Sequence, residues 1–193
     1  MNLDIEPYST SVLVGANGAG KTSLLRFLAG LENLQSGDAT VLGIDLARGD
    51  RRQLRRRVGW MGHDGSFYDE LTVKDNLVFA ARALERPLDT IDPALERVGL
   101  LGRSSTLASR LSAGQRRRLA LAWLLVRRAE LWILDEPYAS LDESGRHFLD
   151  ALIRDVVTSG ATVVMSSHDP LIDSSLETST VVMSGGRVAS GVL

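Results

Sequence analysis

The chain has 193 residues, enough for one domain with a buried core and a small inserted subdomain. Hydrophobic residues make up 44% of it and charged residues 24%, which excludes a disordered or fibrous chain. The formal net charge is −2, there is no cysteine, and no apolar run approaches the roughly 20 residues of a membrane-spanning helix. These values predict a globular protein of the cytosol without a membrane span of its own.

The first predicted elements are a strand, a glycine-rich loop and a helix. Ser11–Val14 is predicted to be a short buried strand, and Lys21–Leu31 a helix with an apolar side. The loop between them fits the pattern G-x-x-x-x-G-K-[ST], which cradles phosphate groups when it joins a strand to a helix. Glycines let successive N–H groups approach phosphate oxygens at the positive end of that helix.

The residues of this loop have predicted roles in binding a nucleoside triphosphate. Lys21 is expected to neutralise the β and γ phosphates, Thr22 to offer its hydroxyl to Mg²⁺, and Ser23 to bond phosphate or cap the helix. The other residues expected to contact phosphate are Gly15, Asn17, Gly18, Ala19 and Gly20. The motif alone leaves kinases, G proteins, helicases and transporters open.

An arginine-rich run, Arg51–Arg57, comes next. It favours a solvated helix face ahead of the predicted strand Val58–Met61, and contact with anionic lipid or RNA is the alternative. Strands are also predicted at Ala39–Leu42, Leu131–Leu134, Ala161–Met165 and Val181–Met183. Strands that alternate with helical stretches predict a mainly parallel α/β sheet.

The middle of the chain has a helical pattern only. Helices are predicted at Val73–Leu84, Ile91–Val98 and Ala113–Val126. We therefore expect a helical subdomain of approximately residues 64–126, inserted into a core of approximately residues 1–63 and 127–193.

The last of these helices begins with the sequence L-S-A-G-Q at residues 111–115. Ser112 is the predicted N-cap, and together with the Gly114 amide it is expected to hold a γ-phosphate at the positive end of the helix. Gln115 is also expected to belong to the nucleotide site. The alternative is a helix cap with no catalytic role.

Two acids end the buried strand Leu131–Leu134. Because the carboxyl end of a parallel strand is where ligands bind, Asp135 is expected to hold Mg²⁺ through its water shell and Glu136 to act as general base for the attacking water. The alternative is a pair of solvated loop acids. The pattern is of the Walker B type.

Together these motifs resemble those of the ABC ATPases. The family signature is usually L-S-G-G-Q, and Ala113 replaces its first glycine. Residues 139–142, of sequence A-S-L-D, are similar to the family's D-loop and add Asp142 to the nucleotide site. His168 is similar to the switch histidine that contacts the γ-phosphate. The resemblance implies a P-loop NTPase fold, with a RecA-like parallel sheet core and the ABC α-helical subdomain.

The resemblance also implies cofactors and partners. In this family the signature of one subunit completes the phosphate site of the other, which implies a homodimer that hydrolyses ATP with Mg²⁺. It further implies a transmembrane permease subunit as partner and a position on the cytoplasmic face of the membrane. No nucleic acid partner is expected.

A more specific resemblance begins at His63. The pattern Gly62-His63, followed by Phe67-Tyr68 and by Leu71–Leu77, resembles the haem exporter ATP-binding subunits of cytochrome c maturation, the CcmA family. Most ABC proteins have glutamine where His63 stands; imidazole also bonds water or phosphate but with one group fewer. The resemblance implies a catalytic role for His63 and a permease-docking surface around His63–Asp69 and the helical insert.

One expected element is missing from this pattern. ABC domains usually begin with an antiparallel strand pair bearing an aromatic residue that stacks on adenine, and the N-terminal strands are expected to be truncated here. Tyr8 lies too close to Gly15 in sequence to replace that residue.

Three other functions remain open on the sequence. The chain is alternatively the ATPase of another exporter of drugs, lipid or polysaccharide, since the nucleotide machinery is shared across cargoes. A non-transport ATPase of iron–sulfur assembly is the second alternative. A subunit that binds nucleotide without turning it over is the third, although Lys21, Asp135 and Glu136 argue against it.

Overall fold

A computed structural model describes residues 2–62, 67–139, 141–167 and 178–190. The chain forms two compact units, one of Met1–Trp60 with Glu130–Leu193 and one of Met61–Ala129. Within the described ranges, no helix has the length and apolar character that crossing a bilayer requires.

The first unit is built on a six-stranded sheet with a separate two-stranded hairpin. The strands are β1 (Thr10–Val14), β2 (Thr40–Val41), β3 (Ile44–Asp45), β4 (Val58–Met61), β5 (Leu131–Leu134), β6 (Thr162–Ser166), β7 (Thr178–Ser184) and β8 (Arg187–Ser190). The sheet order is β4-β5-β6-β1-β7-β8. Strands β5, β6, β1 and β7 run in parallel, and β8 is antiparallel to β7. The predicted parallel α/β sheet is confirmed.

The central strands are buried along their whole length. Every residue of β5 and β6 is buried, and Leu13 of β1 is fully enclosed. Continuous apolar strands of this kind occur where helices cover both faces of a parallel sheet. Because β1, β5 and β6 are parallel, the residues that follow them meet at one edge of the sheet, which is where the site below is found.

The described residues contain six α-helices, three in each unit. They are α1 (Lys21–Leu28), α2 (Arg51–Arg57), α3 (Val73–Ala83), α4 (Ile91–Arg97), α5 (Ala113–Arg127) and α6 (Glu143–Thr158). Helix α1 is shorter than the predicted Lys21–Leu31. Gly30 has φ of 70° and the N–H of Leu31 bonds the carbonyl of Arg26 at 2.9 Å, which ends the helix in a glycine-capped turn.

The predicted strand Ala39–Leu42 is replaced by a tight hairpin. Strand β2 contains only Thr40–Val41 and pairs antiparallel with β3. Leu42 and Gly43 form the turn with φ of 49° and 77°, and two positive values in a two-residue loop match the right-handed twist of the flanking strands.

Helix α2 contains the arginine-rich run, so the predicted helix is confirmed. Three of its guanidinium groups bond the first unit internally. Arg51 donates to the carbonyls of Glu32 and Leu46, Arg55 to that of Gly30, and Arg57 to that of Leu42. Arg57 also holds Glu130 through two bonds of 2.7 and 2.8 Å. Part of the positive charge of this run therefore fixes the hairpin and the loop after α1.

The second unit packs α3 and α4 against α5. Its buried core residues include Leu77, Leu95, Leu119 and Leu121. Burial of each such side chain contributes about 1.5–3 kcal/mol, which is the main stabilisation of this small helical unit. The two compact units divide between Trp60 and Met61 and between Ala129 and Glu130. The predicted limits of the core and the helical subdomain, near residues 64 and 126, stay a prediction.

Candidate functional site

The glycine-rich loop joins the carboxyl end of β1 to the start of α1. Gly20 is the N-cap residue of this helix, with φ of 97°, a conformation that residues with a Cβ disfavour. Ser23 is therefore not the helix cap, and its contact with phosphate stays a prediction. At Gly15 a Cβ would collide with the carbonyl oxygen of Met183. The exposed tip of the loop consists of Ala16, Asn17 and Gly18, while Ala19 is buried.

The turn between β7 and β8 contacts this loop. The N–H of Gly186 donates to the carbonyl of Ala19 at 3.0 Å, and a Cβ on Gly20 would lie 3.2 Å from Cα of Gly186. The sequence does not predict this contact, although the pair Gly185-Gly186 after an apolar run is a signal for a tight turn. The loop backbone is thus fixed near its start by Met183 and near its end by Gly186.

Lys21 is buried and directed into its own loop. Its Nζ donates to the carbonyls of Gly15 at 2.7 Å and Ala16 at 3.3 Å, and only 7% of the residue is exposed. The ammonium group therefore lies within the loop that is predicted to cradle phosphate. Solvent screens a buried cation less than an exposed one, which strengthens its attraction for any anion that the loop holds.

The carboxylate of Asp135 is held at both oxygens. Thr22 Oγ1 donates to Oδ2 at 2.9 Å, and Ser166 Oγ donates to Oδ1 at 2.7 Å. Asp135 is 8% exposed and Ser166 is fully buried. The bond from Thr22 joins the first turn of α1 to the acid that follows β5, so the two predicted metal-binding residues lie in contact.

Ser166 was not among the predicted site residues. It ends β6, which pairs in parallel with both β5 and β1, and its hydroxyl also accepts a bond of 2.8 Å from the N–H of Glu136. One hydroxyl thus positions both acids. A polar residue at the end of a buried apolar strand, next to a strand that ends in acids, is the signal that identifies such a residue.

Glu136 has a strained backbone. Its φ is 48°, in the left-handed region that glutamate seldom adopts, and its carbonyl accepts a bond of 3.1 Å from the N–H of Ala139. Strain of this kind, at roughly 1–3 kcal/mol, persists where neighbouring bonds fix the backbone, here the bond that the N–H of Glu136 donates to Ser166 Oγ. The half-buried side chain is therefore placed at the same sheet edge as Asp135.

The oxygen donors of this cluster fit a magnesium ion. Mg²⁺ prefers a few carboxylate or hydroxyl oxygens together with water and phosphate oxygens. Thr22 Oγ1 and Asp135 Oδ2 already lie 2.9 Å apart beside the phosphate loop. The donor set contains no sulfur or imidazole, as is typical of a site for a hard cation.

Removing the hydroxyl of Ser166 is expected to harm both stability and activity. Ser166→Ala leaves Asp135 Oδ1 and the N–H of Glu136 without these bonds, and each buried unsatisfied group costs about 1–3 kcal/mol. For a chain of this size we expect the melting temperature to fall by about 5–10 °C, with ATP hydrolysis reduced at least about tenfold at temperatures where the variant is folded. Calorimetry and a phosphate-release assay measure the two effects.

Ser11→Ala is the matched control for this prediction. Ser11 lies on the neighbouring β1, and its hydroxyl bonds that of Ser179 at 2.8 Å on β7, which lies on the other side of β1 from β6. Its replacement is expected to affect stability alone. Equal hydrolysis rates per folded chain in the two variants would contradict the assigned role of Ser166.

The L-S-A-G-Q segment begins α5 with a complete capping box. The N–H of Gln115 donates to Ser112 Oγ at 3.3 Å, and the N–H of Ser112 donates to Gln115 Oε1 at 3.1 Å. Ser112 and Ala113 are exposed, and a Cβ on Gly114 would meet nothing within 4 Å. The predicted N-cap is confirmed, and this helix end is open to an approaching anion.

The turn after Glu136 is fixed through buried polar groups. Tyr138 donates its hydroxyl to the carboxylate of Asp150 on α6, and both residues are buried. Asp142 caps α6 by accepting a bond of 2.8 Å from the N–H of Gly145. Its contact with nucleotide stays a prediction, since helix capping already explains this carboxylate. His63, His168 and Ser140 lie outside the described residues.

Comparisons with known proteins agree with the nucleotide-binding geometry. The family model described as ABC transporter matches residues 1–139. The chain is 42% identical over 156 residues to the cytochrome c biogenesis ATP-binding export protein CcmA of Pasteurella multocida, an alignment of 80% of this chain and 73% of that protein. The CcmA protein of Nitrosomonas europaea is 36% identical over 188 residues, 95% of this chain and 87% of that one.

Solved structures of similar fold are also ABC proteins. A structure described as the ATP binding subunit of an ABC transporter superposes with a TM-score of 0.88 at 26% identity, covering 98% of this chain and 80% of that one. The structure of cbiO1 from Clostridium perfringens, part of the ABC transporter complex cbiONQ, gives a TM-score of 0.84 at 28% identity. It covers 100% of this chain and 80% of that one.

Proposed function

The chain belongs to the ABC transporter family as an ATP-hydrolysing subunit, and from this premise we propose that it acts as a Mg²⁺-dependent homodimer on the membrane subunit of a cytochrome c biogenesis exporter. The observation that supports the chemistry most directly is the Asp135 carboxylate, bonded by Thr22 of the phosphate loop and by Ser166. The Ser166 hydroxyl also accepts a bond from the N–H of Glu136, which orients the second acid.

The residues divide the reaction between binding and proton transfer. Lys21 exchanges its bonds with loop carbonyls for bonds with the β and γ phosphates, which keeps the ammonium paired throughout. Thr22 and Asp135 would hold Mg²⁺, which supplies positive charge to the phosphate oxygens. Glu136 takes a proton from the attacking water while the water oxygen forms a bond to the γ-phosphorus. The bond between the γ-phosphorus and the oxygen that bridges it to the β-phosphate then breaks, and ADP and phosphate leave.

The open end of α5 supports the dimer. Ser112 and Ala113 are exposed, and the helix begins with N–H groups that favour an anion. We propose that this end contacts the γ-phosphate of ATP bound in a second copy, as the family resemblance implies. ATP then joins two copies, and hydrolysis releases them, which shifts the pair between closed and open states.

An exposed aromatic surface on the helical unit supports the membrane partner. Tyr68 and Phe79 are 49% and 45% exposed, and their rings are 5.0 Å apart edge to face. The ring of Phe79 also lies 6.3 Å from that of Trp123, with the two planes tilted by 37°. Rigid exposed aromatic residues are typical anchors of protein interfaces. We propose that this aromatic surface docks the transmembrane subunit and places the chain on the cytoplasmic face of the membrane.

Phe79→Ser is expected to weaken that docking. Loss of an interface anchor costs about 2 kcal/mol or more, so we expect the affinity for the membrane subunit to fall at least about thirtyfold. Binding of the purified chain to the membrane subunit in nanodiscs measures this. Leu88→Ser, also 45% exposed on the same unit, is the control and is expected to bind as the wild type does. Equal loss in both variants would locate docking elsewhere.

The cargo is proposed from the relatives named for cytochrome c biogenesis export. We propose that the membrane subunit handles haem or a haem chaperone while this chain supplies the ATPase. Deletion of the gene in its host tests this, with haem staining of c-type cytochromes as the readout. Restoration by the wild-type chain but not by Glu136→Gln supports the proposal. Normal cytochrome content in the deletion strain would favour another exporter, such as one resembling the complex that contains cbiO1.

A further inference from the structure

Arg116 connects the signature helix to the segment that precedes the aromatic surface. It stands in the first turn of α5, and its backbone N–H bonds the carbonyl of Ser112 at 2.8 Å. Its guanidinium lies 4.9 Å over the ring of Phe67, and Nη1 donates to Asp69 Oδ1 at 2.7 Å and to the carbonyl of Ala108 at 3.1 Å. One side chain thus joins three separate segments of the helical unit.

The segment that Arg116 contacts is itself fixed. Asn76 is fully buried on α3; its Oδ1 accepts a bond of 2.7 Å from the N–H of Tyr68, and its Nδ2 donates at 2.9 Å to the carbonyl of Tyr68. The Tyr68 backbone is therefore held on both sides. Its ring remains exposed and contacts Phe79, so a force applied to the aromatic surface acts on a segment that has little freedom to move alone.

A second set of bonds joins the same segment to the chain just before the signature. The N–H of Ala108 donates to the carbonyl of Leu71 at 2.9 Å, and the N–H of Ser109 donates to that of Asp69 at 3.2 Å. Arg116 Nη1 bonds both Asp69 and Ala108, one from each side of this pairing. The arginine therefore lies where the two segments and the helix meet.

We propose that Arg116 is a positioning residue that couples the aromatic surface to the L-S-A-G-Q end of α5. Rotation or displacement of the segment Phe67–Asp69 moves Arg116, and through its backbone bond moves Ser112. The placement of the signature against the second copy's nucleotide then depends on what occupies the aromatic surface. The inference rests on the proposed dimer for its effect on hydrolysis, but the coupling itself is a property of one chain.

The contacts require arginine rather than any cation. A planar guanidinium can stack on the Phe67 ring while its N–H groups reach a carboxylate and a carbonyl, whereas a lysine ammonium has no plane to stack. The ion pair is partly exposed, with side-chain exposures of 32% for Arg116 and 50% for Asp69, so it adds little to global stability. Loss of this ion pair is expected to change the placement of the L-S-A-G-Q end of α5 more than the stability of the fold.

Hydrogen exchange of the purified full-length chain tests the coupling. In Asp69→Asn, the peptide that contains the amides of Gln115 and Arg116 is expected to exchange at least about fivefold faster, although the substituted residue lies outside the signature. Arg116→Ala is expected to give the same effect, and the double variant no more than either single change. Arg116→Lys is expected to restore part of the protection. Arg110→Ala, an exposed arginine on the turn before the signature, is the control and is expected to exchange as the wild type does.

Nucleotide measurements separate positioning from a general structural defect. Mant-ATP affinity is expected to stay within about twofold of wild type in Asp69→Asn, since the phosphate loop lies in the other unit, while hydrolysis falls about tenfold at low chain concentration. Unchanged exchange at Gln115 and Arg116 in Asp69→Asn would overturn the inference. Wild-type hydrolysis that is strictly proportional to chain concentration would instead contradict the proposed dimer, and the exchange result would still decide the coupling.

Discussion

Replacing Glu136 with glutamine is expected to lower steady-state phosphate release by at least about a hundredfold while ATP binding persists. Glutamine keeps the size of the side chain and the bond that the backbone N–H donates to Ser166 Oγ, but it cannot accept the proton of the attacking water. General base catalysis contributes about 10²–10⁴-fold to such rates. A phosphate-release assay and mant-ATP titration on the same preparation measure the two properties.

The same variant is expected to accumulate as an ATP-bound dimer, because the step that separates the two copies is blocked. Size-exclusion chromatography under Mg²⁺ and ATP detects it. Glu143→Gln is the control, since Glu143 lies in the first turn of α6 and is exposed. Hydrolysis by Glu136→Gln at more than about a tenth of the wild-type rate would exclude this carboxylate as the principal base.

Lys21→Ala is expected to weaken ATP binding about ten- to a hundredfold. The ammonium group lies inside the phosphate loop, and a hydrogen bond to a charged group is worth about 1.5–3 kcal/mol, which corresponds to that range of affinity. The loss is expected to be much smaller for AMP, which lacks the β and γ phosphates. Mant-nucleotide titration measures both affinities.

The chain offers a matched control for this lysine. Lys74 is the other lysine in the sequence, and it forms an exposed ion pair of 2.8 Å with Asp92 on the helical unit. Lys74→Ala removes the same charge and is expected to leave ATP affinity unchanged. If the two substitutions weakened binding equally, net charge rather than the geometry of the loop would explain the effect.

Local patterns in the sequence were sufficient to predict the phosphate loop and the signature cap. The loop requires glycines at fixed offsets before Lys21, and the capping box requires Ser112 and Gln115 three residues apart, so both are set by neighbours in the chain. The acids after β5 are equally local. The parallel sheet followed from the alternation of strands and helices.

Contacts between distant segments were not predictable in the same way. Ser166 reaches Asp135 from 31 positions away, because β6 pairs with β5. Arg116 reaches Asp69 across 47 positions. The buried apolar run before Ser166 marks it as the end of a core strand, but a single sequence does not say which strand lies beside it. The partners of Ser166 and Arg116 therefore could not be predicted.

Turn geometry explains the errors in element length. The apolar pattern predicted helix α1 to Leu31, but Gly30 at positive φ ends it earlier. The predicted strand Ala39–Leu42 ends with Leu42, which is the first turn residue of the hairpin and not part of a strand. In both places the apolar side chains favour a longer helix or strand, whereas Gly30 and Gly43 adopt the positive φ that lets the chain change direction.

Mixing two inactive variants tests the shared nucleotide site most directly. Lys21→Ala disables the phosphate loop and Ser112→Ala the signature, so each homodimer is expected to have two defective sites. In a mixed dimer one site combines the intact loop of one copy with the intact signature of the other. An equimolar mixture is therefore expected to regain up to about a quarter of wild-type phosphate release, since half of the dimers are mixed and each has one intact site. A mixture no more active than the average of the two separate variants would contradict a site completed by the second copy.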